Sequence, residues 1–229
     1  MRRPSRIRSF VIRGRITPAQ KEALERHWAG FGIDYSPQPL NLDQIFRRVA
    51  PKILDVGSGM GDCTAALAGR HRENDYLAVE VHRPGVGSLI RHALRMRLSN
   101  VRIICHDVMD VLRDQLPERS LDEIYVFFPD PWPKKRHHKR RLVNARFLDL
   151  LVPCMKDNAR LFLATDIAEL AHDMLSACDS HAGLVNLAGG GNFAPRPAWR
   201  PATKFEQRGE RGNQPAWDLC FARTGDMSG

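Results

Sequence analysis

The chain has 229 residues, 43% of them hydrophobic, and a net charge of +9. That composition supports a buried core and excludes global disorder, and no apolar run approaches bilayer-spanning length, so a soluble protein is expected. The charge is local: residues 1–16 hold six Arg and no acid, residues 134–141 hold six Lys or Arg and no acid, and these twelve cations leave the rest of the chain at −3 by the same count.

The opening MRRPSRIRSF lacks the apolar stretch of a signal peptide. Its Arg-rich, acid-free composition would also suit a mitochondrial transit peptide, but it runs directly into a capped helix, and residues 1–16 read as a basic arm. Thr17-Pro18-Ala19-Gln20 has the form of an N-cap, a first-turn proline and a capping-box Gln, which starts a helix ending near Trp28. Residues 30–39 read as loop. Asn41 caps a second helix through Val49, stopped by Pro51. From Lys52 onward, short β-branched runs (KILDVG, YLAVEV, VRIICHD, LDEIYVFF, ARLFLATD, LVNLA) alternate with segments of helical spacing, the last two helices over residues 143–155 and 167–178. Nearly continuous apolar strands separated by helices imply an α/β fold with a mostly parallel sheet covered on both faces. Residues 189–203 are a Gly/Pro-rich loop, and AWDLCFAR alternates as a last edge strand would. No repeat or long linker divides residues 17–229, so a single domain is expected.

Two concentrated cationic segments call for a polyanion. Nucleic acid is favoured over an anionic membrane surface, since neither segment is an evident amphipathic helix. The five cysteines form no C-x-x-C pair, which argues against structural zinc and fits a reducing cytoplasm.

In open α/β sheets, ligands bind beyond the carboxyl ends of the strands. The first strand runs into Asp55-Val56-Gly57-Ser58-Gly59-Met60-Gly61, a G-x-G-x-G turn. The dinucleotide pattern G-x-G-x-x-G would need glycine where Asp62 stands, so a nicotinamide-dependent oxidoreductase is excluded on spacing. Asp55 suits a cationic amino-acid moiety better than a pyrophosphate. Glu80 ends the second strand, where a carboxylate accepts ribose hydroxyls; Asp107 ends the third, within reach of an adenine amine; Asp130 ends the fourth. Four successive acids suggest one polar ligand laid across the strand tips.

This constellation resembles the class I S-adenosylmethionine-dependent methyltransferases. FPDPWPKKRHHKRRL, with VEVHRPGVG, ATD, TKFEQRGER and RSFVIRGRITPAQ in the same order, resembles the tRNA (guanine-N7)-methyltransferase family over nearly the whole chain. The resemblance implies a Rossmann-like, doubly wound, seven-stranded sheet with an antiparallel last strand, N-terminal helices over residues 17–50, and a cofactor- and tRNA-binding core over residues 51–229. It implies methyl transfer from S-adenosylmethionine to N7 of a guanosine, position 46 of the tRNA variable loop. Asp55, Gly57, Gly59, Gly61, Glu80, Asp107 and Asp130 fall on cofactor-binding positions. Lys134, Asp166, Thr203, Lys204, Phe205 and Glu206 fall on substrate-binding positions, and Asp130 on the active-site acid. Asp55 stands where the family commonly has Glu, Ser58 where it has an aromatic, and GNQPAWDLCF departs from its usual tail.

The chemistry implied needs no metal and no general base, because the donor is activated and guanine N7 presents an in-plane lone pair. Arg136, His137, His138, Lys139, Arg140 and Arg141, beside Lys134, are expected against the RNA backbone, setting affinity rather than base identity. Trp132 either stacks on the target base or is a buried structural Trp. Asp166 reads as a substrate contact, as a cap for the helix that follows, or as both at once. The readings that remain open are another class I RNA methyltransferase and a non-catalytic RNA-binding module on the same fold. Oligomeric state is left open, leaning to a monomer.

Overall fold

The alternation beginning at Lys52 becomes one continuous sheet in the computed structural model, which describes residues 15–201 and 216–225. Thr17 caps α1 (Pro18–Phe31), its hydroxyl accepting from Gln20 N while the Gln20 side chain accepts from Thr17 N at 2.8 Å. β1 (Gly32–Ile33) follows, then α2 (Leu42–Phe46) under its Asn41 cap. α2 stops three residues before the expected end, because Arg47 turns into the left-handed region at φ +59°.

The remaining elements are β2 (Lys52–Val56), α3 (Asp62–Arg70), β3 (Asp75–Val79), α4 (Arg83–Arg95), β4 (Val101–Ile104), α5 (Val108–Asp114) and β5 (Leu121–Phe127). A 3-10 helix (Lys135–Arg140) leads to α6 (Ala145–Cys154), β6 (Met155–Thr165), α7 (Ala168–Asp179), β7 (Leu184–Asn186) and β8 (Trp217–Arg223). The strand order is β1-β4-β3-β2-β5-β6-β8-β7, parallel throughout except where β8 runs antiparallel to both β6 and β7. This is a Rossmann-like, doubly wound sheet, and its order reverses between β2 and β5.

Two strand expectations are corrected. The sheet has eight strands among the described residues, because Gly32 and Ile33, read as loop, add to the edge of β4 opposite Ile103 and Ile104. β8 is not an edge: it lies between β6, which it matches from Arg160↔Ala222 to Thr165↔Trp217, and the three-residue β7.

Alternate side chains of the strands feed two cores. Leu54, Val56, Leu77, Val79, Ile124 and Leu163 pack with α2, α5, α6 and α7. Ile53, Tyr76, Ala78, Ile103 and Tyr125 pack with α1, α3 and α4. Every residue of β2 and β3 is buried, as a parallel strand covered on both faces requires.

Over β5, β6 and β8 the second face is closed by the segment before residue 202. Trp199 packs on Tyr125 and Phe162, ring centres 5.1 and 5.0 Å apart. Arg200, fully buried, donates through Nε and Nη2 to both Asp218 carboxylate oxygens at 2.9 Å. Its guanidinium lies over Phe127 and Phe128. All five cysteines are free, and burial pushes the Cys154 and Cys220 thiols up to about 11 and Cys178 to about 12. No helix among the described residues is long and apolar enough to cross a membrane.

Asp218→Ala strips the buried Arg200 of this counter-charge, so urea titration should show a loss of about 3–5 kcal/mol in unfolding free energy. An Arg200→Met, Asp218→Leu double variant should recover most of it; a negligible loss in the single variant would mean the pair is not structural.

Candidate active site

The carboxyl ends of β4, β3, β2 and β5 bring Asp107, Glu80, Asp55 and Asp130 to one edge of the sheet, in that spatial order. At about 4.8 Å per strand the row spans about 14 Å. Asp166 leaves β6, the next strand, two residues beyond Ala164, whose carbonyl accepts from Phe128 N at 2.7 Å.

Asp55 is buried and accepts from the Thr64 hydroxyl on α3. Burial pushes its carboxyl up to about 6, the Thr64 hydrogen bond opposing and the Glu80 charge adding to the shift. Glu80 braces the glycine turn: Oε2 accepts from Gly59 N at 2.7 Å and Oε1 from His82 N at 2.8 Å. Its pKa is raised by burial, against the pull of those backbone donors. Asp107 caps α5, Oδ1 accepting from Met109 N at 2.9 Å, and beside it His106 stacks on Tyr35 at 3.8 Å.

Gly57 and Gly59 sit at φ +74° and +56°, and a Cβ on either would meet nothing within 4 Å, so the turn is open on its outer side. Gly61, at φ +78°, closes the turn as the N-cap of α3. Behind the turn, α4 comes so close that a Cβ on Gly85 would lie 2.1 Å from Gly59 O, which accounts for glycine in VEVHRPGVG. Ser58 Oγ is buried with no hydrogen-bond partner among the described residues. An open cradle, an unmatched hydroxyl and three buried carboxylates fit an elongated ligand bearing an amine, hydroxyls and a cationic head, as S-adenosylmethionine does.

Beyond β5 the backbone is strained on both sides of Pro129-Asp130-Pro131: Phe128 has φ +53° and Trp132 φ +43°. Bulky residues rarely adopt this region, and such strain clusters at functional sites. Trp132 is half-buried, with the Arg140 guanidinium 4.9 Å from its ring centre and His137 edge-on at 5.7 Å. Lys134, Lys135, Arg136, Lys139 and Arg140 are exposed. His137 is held below its usual pKa, first by desolvation and then by Arg140, Arg136, Lys134 and Lys139.

Two assignments change. Arg141 is not an exposed cation: its side chain is 4% accessible and is paired with Asp173 and Glu169 on α7. His138 lies in the same cluster, Nε2 3.0 Å from the Arg141 guanidinium. Nor does Asp166 cap α7; Ile167 holds that position without a side-chain cap, and Thr165 Oγ1 accepts from its N–H. Thr203, Lys204, Phe205 and Glu206, and residues 1–14 of the basic arm, lie outside the described residues. Thr64, Gly85, Arg200 and Asp218 were missed by sequence reading; of these only Gly85 carried a local signal, a glycine pair inside a helical pattern.

Elsewhere, a cleft of about 390 Å³ at the amino end of the sheet is lined by Lys52, Arg119 and Lys156, already paired with Asp43, Asp157 and Asp122. It gathers none of the expected site residues. Among the described residues no cluster of His, Cys, Asp and Glu is placed to hold a metal ion.

Residues 49–219 match a protein family described as "Putative methyltransferase". The chain is 49% identical over 218 residues to the tRNA (guanine-N(7)-)-methyltransferase of Nitrosospira multiformis, covering 95% of this chain and 94% of that one. It is 47% identical over 223 residues to the enzyme of the same name from Neisseria meningitidis serogroup A, covering 97% and 93%. Among solved structures it is similar in fold to the 16S rRNA methyltransferase KamB, with a TM-score of 0.56, 13% identity, and coverage of 80% of this chain and 93% of that one.

A ligand cation beside Asp55 favours its ionised form. Below the carboxyl's raised value of about 6, binding must displace a proton, so affinity falls as pH drops. The dissociation constant for S-adenosylmethionine should rise about tenfold between pH 7 and pH 5, with proton release measurable by calorimetry in buffers of different ionisation enthalpy. A flat profile would remove Asp55 from the cationic end of the site.

Proposed function

Because the chain belongs to the tRNA (guanine-N(7)-)-methyltransferase family, we propose that it moves a methyl group from S-adenosylmethionine to N7 of a guanosine in tRNA, at position 46 of the variable loop. The observation that carries this reading is the ordered row Asp107, Glu80, Asp55, Asp130 at the strand tips, followed at once by five exposed cations. The first three acids suit a nucleoside amino-acid cofactor; Asp130 and the cations suit a base attached to a polyanion.

Glu80 takes ribose hydroxyls; Asp107 takes the adenine amine; Asp55, ionised, faces the amino-acid end. When bound, the cofactor supplies an electrophilic methyl on a sulfonium. Guanine N7 is unprotonated at neutral pH, so no side chain has to remove a proton from the nucleophile. The work left to the chain is alignment, which can supply several kcal/mol of a barrier. Asp130 accepts from the donor hydrogens on the guanine's Watson–Crick edge, and its charge stabilises the cationic product. The base is turned out of its stack to reach the pocket. Lys134, Asp166, Thr203, Lys204, Phe205 and Glu206 contact the substrate. Free thiols throughout fit a cytoplasmic enzyme.

Incubation with labelled S-adenosylmethionine and unmodified tRNA, then digestion, should yield 7-methylguanosine mapping to the variable loop. Asp130→Asn should lower kcat about 10²- to 10³-fold with cofactor affinity changed little. Label in another nucleoside would point to a different RNA methyltransferase, and binding without label to a non-catalytic module.

The exposed cations set affinity through counterion release. Neutralising Arg136 and Lys139 together should weaken tRNA binding and flatten the plot of log K against log salt by about 0.9 per lost contact. An unchanged slope would leave these residues a solvated face.

A further inference from the structure

Arg141 closes the run KKRHHKRR, and nothing local distinguishes it from its neighbours, yet it faces inward. Its Nε donates to Pro131 O at 3.0 Å. Nη1 donates to Asp173 on α7, and Nη2 lies 3.4 Å from Glu169 on the same helix and 3.0 Å from His138 Nε2. One guanidinium thus ties together the loop carrying Asp130, the 3-10 helix carrying the exposed cations, and α7. Its backbone is held as well, Arg141 N donating to His138 O at 2.8 Å and Asn144 Nδ2 to Arg141 O at 2.8 Å. With two acids against it and 4% of its side chain accessible, this cation has little left to offer an RNA phosphate.

Pro131 is the residue after Asp130 and the residue before Trp132, whose φ is +43°. A backbone in that region persists only where its surroundings over-determine it. At the other end of the loop, Phe128, at φ +53°, lies under the buried Arg200 guanidinium. Asp130 therefore sits between two held points, one of them the carbonyl that Arg141 grips.

We infer that Arg141 is a positioning residue for Asp130: by holding Pro131 O against α7, with Asp173 and Glu169 as its counter-charges, it fixes where the Asp130 carboxylate meets the substrate. The inference rests on the reading that Asp130 contacts the guanine. It separates the basic run into five cations that face outward and one that shapes the site. The same clamp couples the RNA-facing helix to the catalytic loop, since His138 and Pro131 share one guanidinium.

The test compares wild type, Arg141→Met, Arg141→Lys, Asp173→Ala, Asp130→Asn and the Arg136→Gln, Lys139→Gln double variant, measuring kcat, tRNA affinity at several salt concentrations and cofactor affinity. Arg141→Met should lose about 10- to 100-fold in kcat, with tRNA affinity within about twofold and an unchanged salt slope, whereas the double variant should lose affinity and flatten the slope. Arg141→Lys should recover part of the loss, since lysine can reach one partner but not hold the fork. Adding Arg141→Met to Asp130→Asn should cost little more than Asp130→Asn alone, because both act through one carboxylate. Asp173→Ala, at a half-exposed position, should show a smaller kcat loss of the same kind, and it carries the test if Arg141→Met does not fold. An unchanged kcat in Arg141→Met or, failing that, Asp173→Ala, a salt slope that falls as in the double variant, or a loss that multiplies in the Asp130→Asn background would each overturn the inference. A fully active Asp130→Asn would instead overturn the reading of Asp130 itself, whatever Arg141 does.

Discussion

Parallel pairing of β4, β3, β2, β5 and β6 is the constraint from which the rest follows. A parallel neighbour can be reached only by a crossover that returns the chain to the end it started from, so every carboxyl end emerges on the same side. After β4 the chain passes to the far side of β2, and the crossover helices part there, leaving a crevice between β2 and β5. The two cores that cover this sheet also set the chemistry of its edge. Carboxylates carried to the tips of buried strands lose water, and the pKa values of Asp55 and Glu80 rise for that reason first.

Two irregular turns meet at the crevice, and both are held by charged side chains from elsewhere in the chain. The glycine turn after β2 is fastened by Glu80 at the tip of β3 and by the close approach of Gly85 in α4. The Phe128 to Trp132 turn after β5 lies between Arg200, itself fastened to Asp218 in β8, and Arg141, fastened to α7. Glycine makes the first turn cheap to form. The second contains none, and its two positive-φ residues are bulky, so the surrounding framework must supply what the local sequence does not.

Much of this was legible beforehand. The Thr17 capping box, the Asn41 cap and the six strands from β2 to β7 are local or periodic signals, and they stand within a few residues of where they were read. β1 was not legible because two residues carry no period. The alternation of AWDLCFAR reads the same at an edge as beside a three-residue partner, so its place inside the sheet was hidden. The inward turn of Arg141 was hidden because a run of cations looks uniform in one dimension, while Asp173, which draws it inward, lies 32 residues further on. The alternative cap role of Asp166 failed because the helix starts one residue later, at a position with no capping side chain.

By itself the sequence determined which groups are available and roughly where the capped and periodic elements lie, because caps, prolines, glycines and apolar periods act within a few residues of where they stand. Only the tertiary structure decided who neighbours whom. Acids that occur in the chain as 55, 80, 107 and 130 stand across the sheet as 107, 80, 55 and 130, and of six cations in one short run five face water and one faces the fold. The physical reason is that strand order and side-chain burial are settled by crossover handedness and by contacts between segments far apart in the chain, which no local pattern specifies.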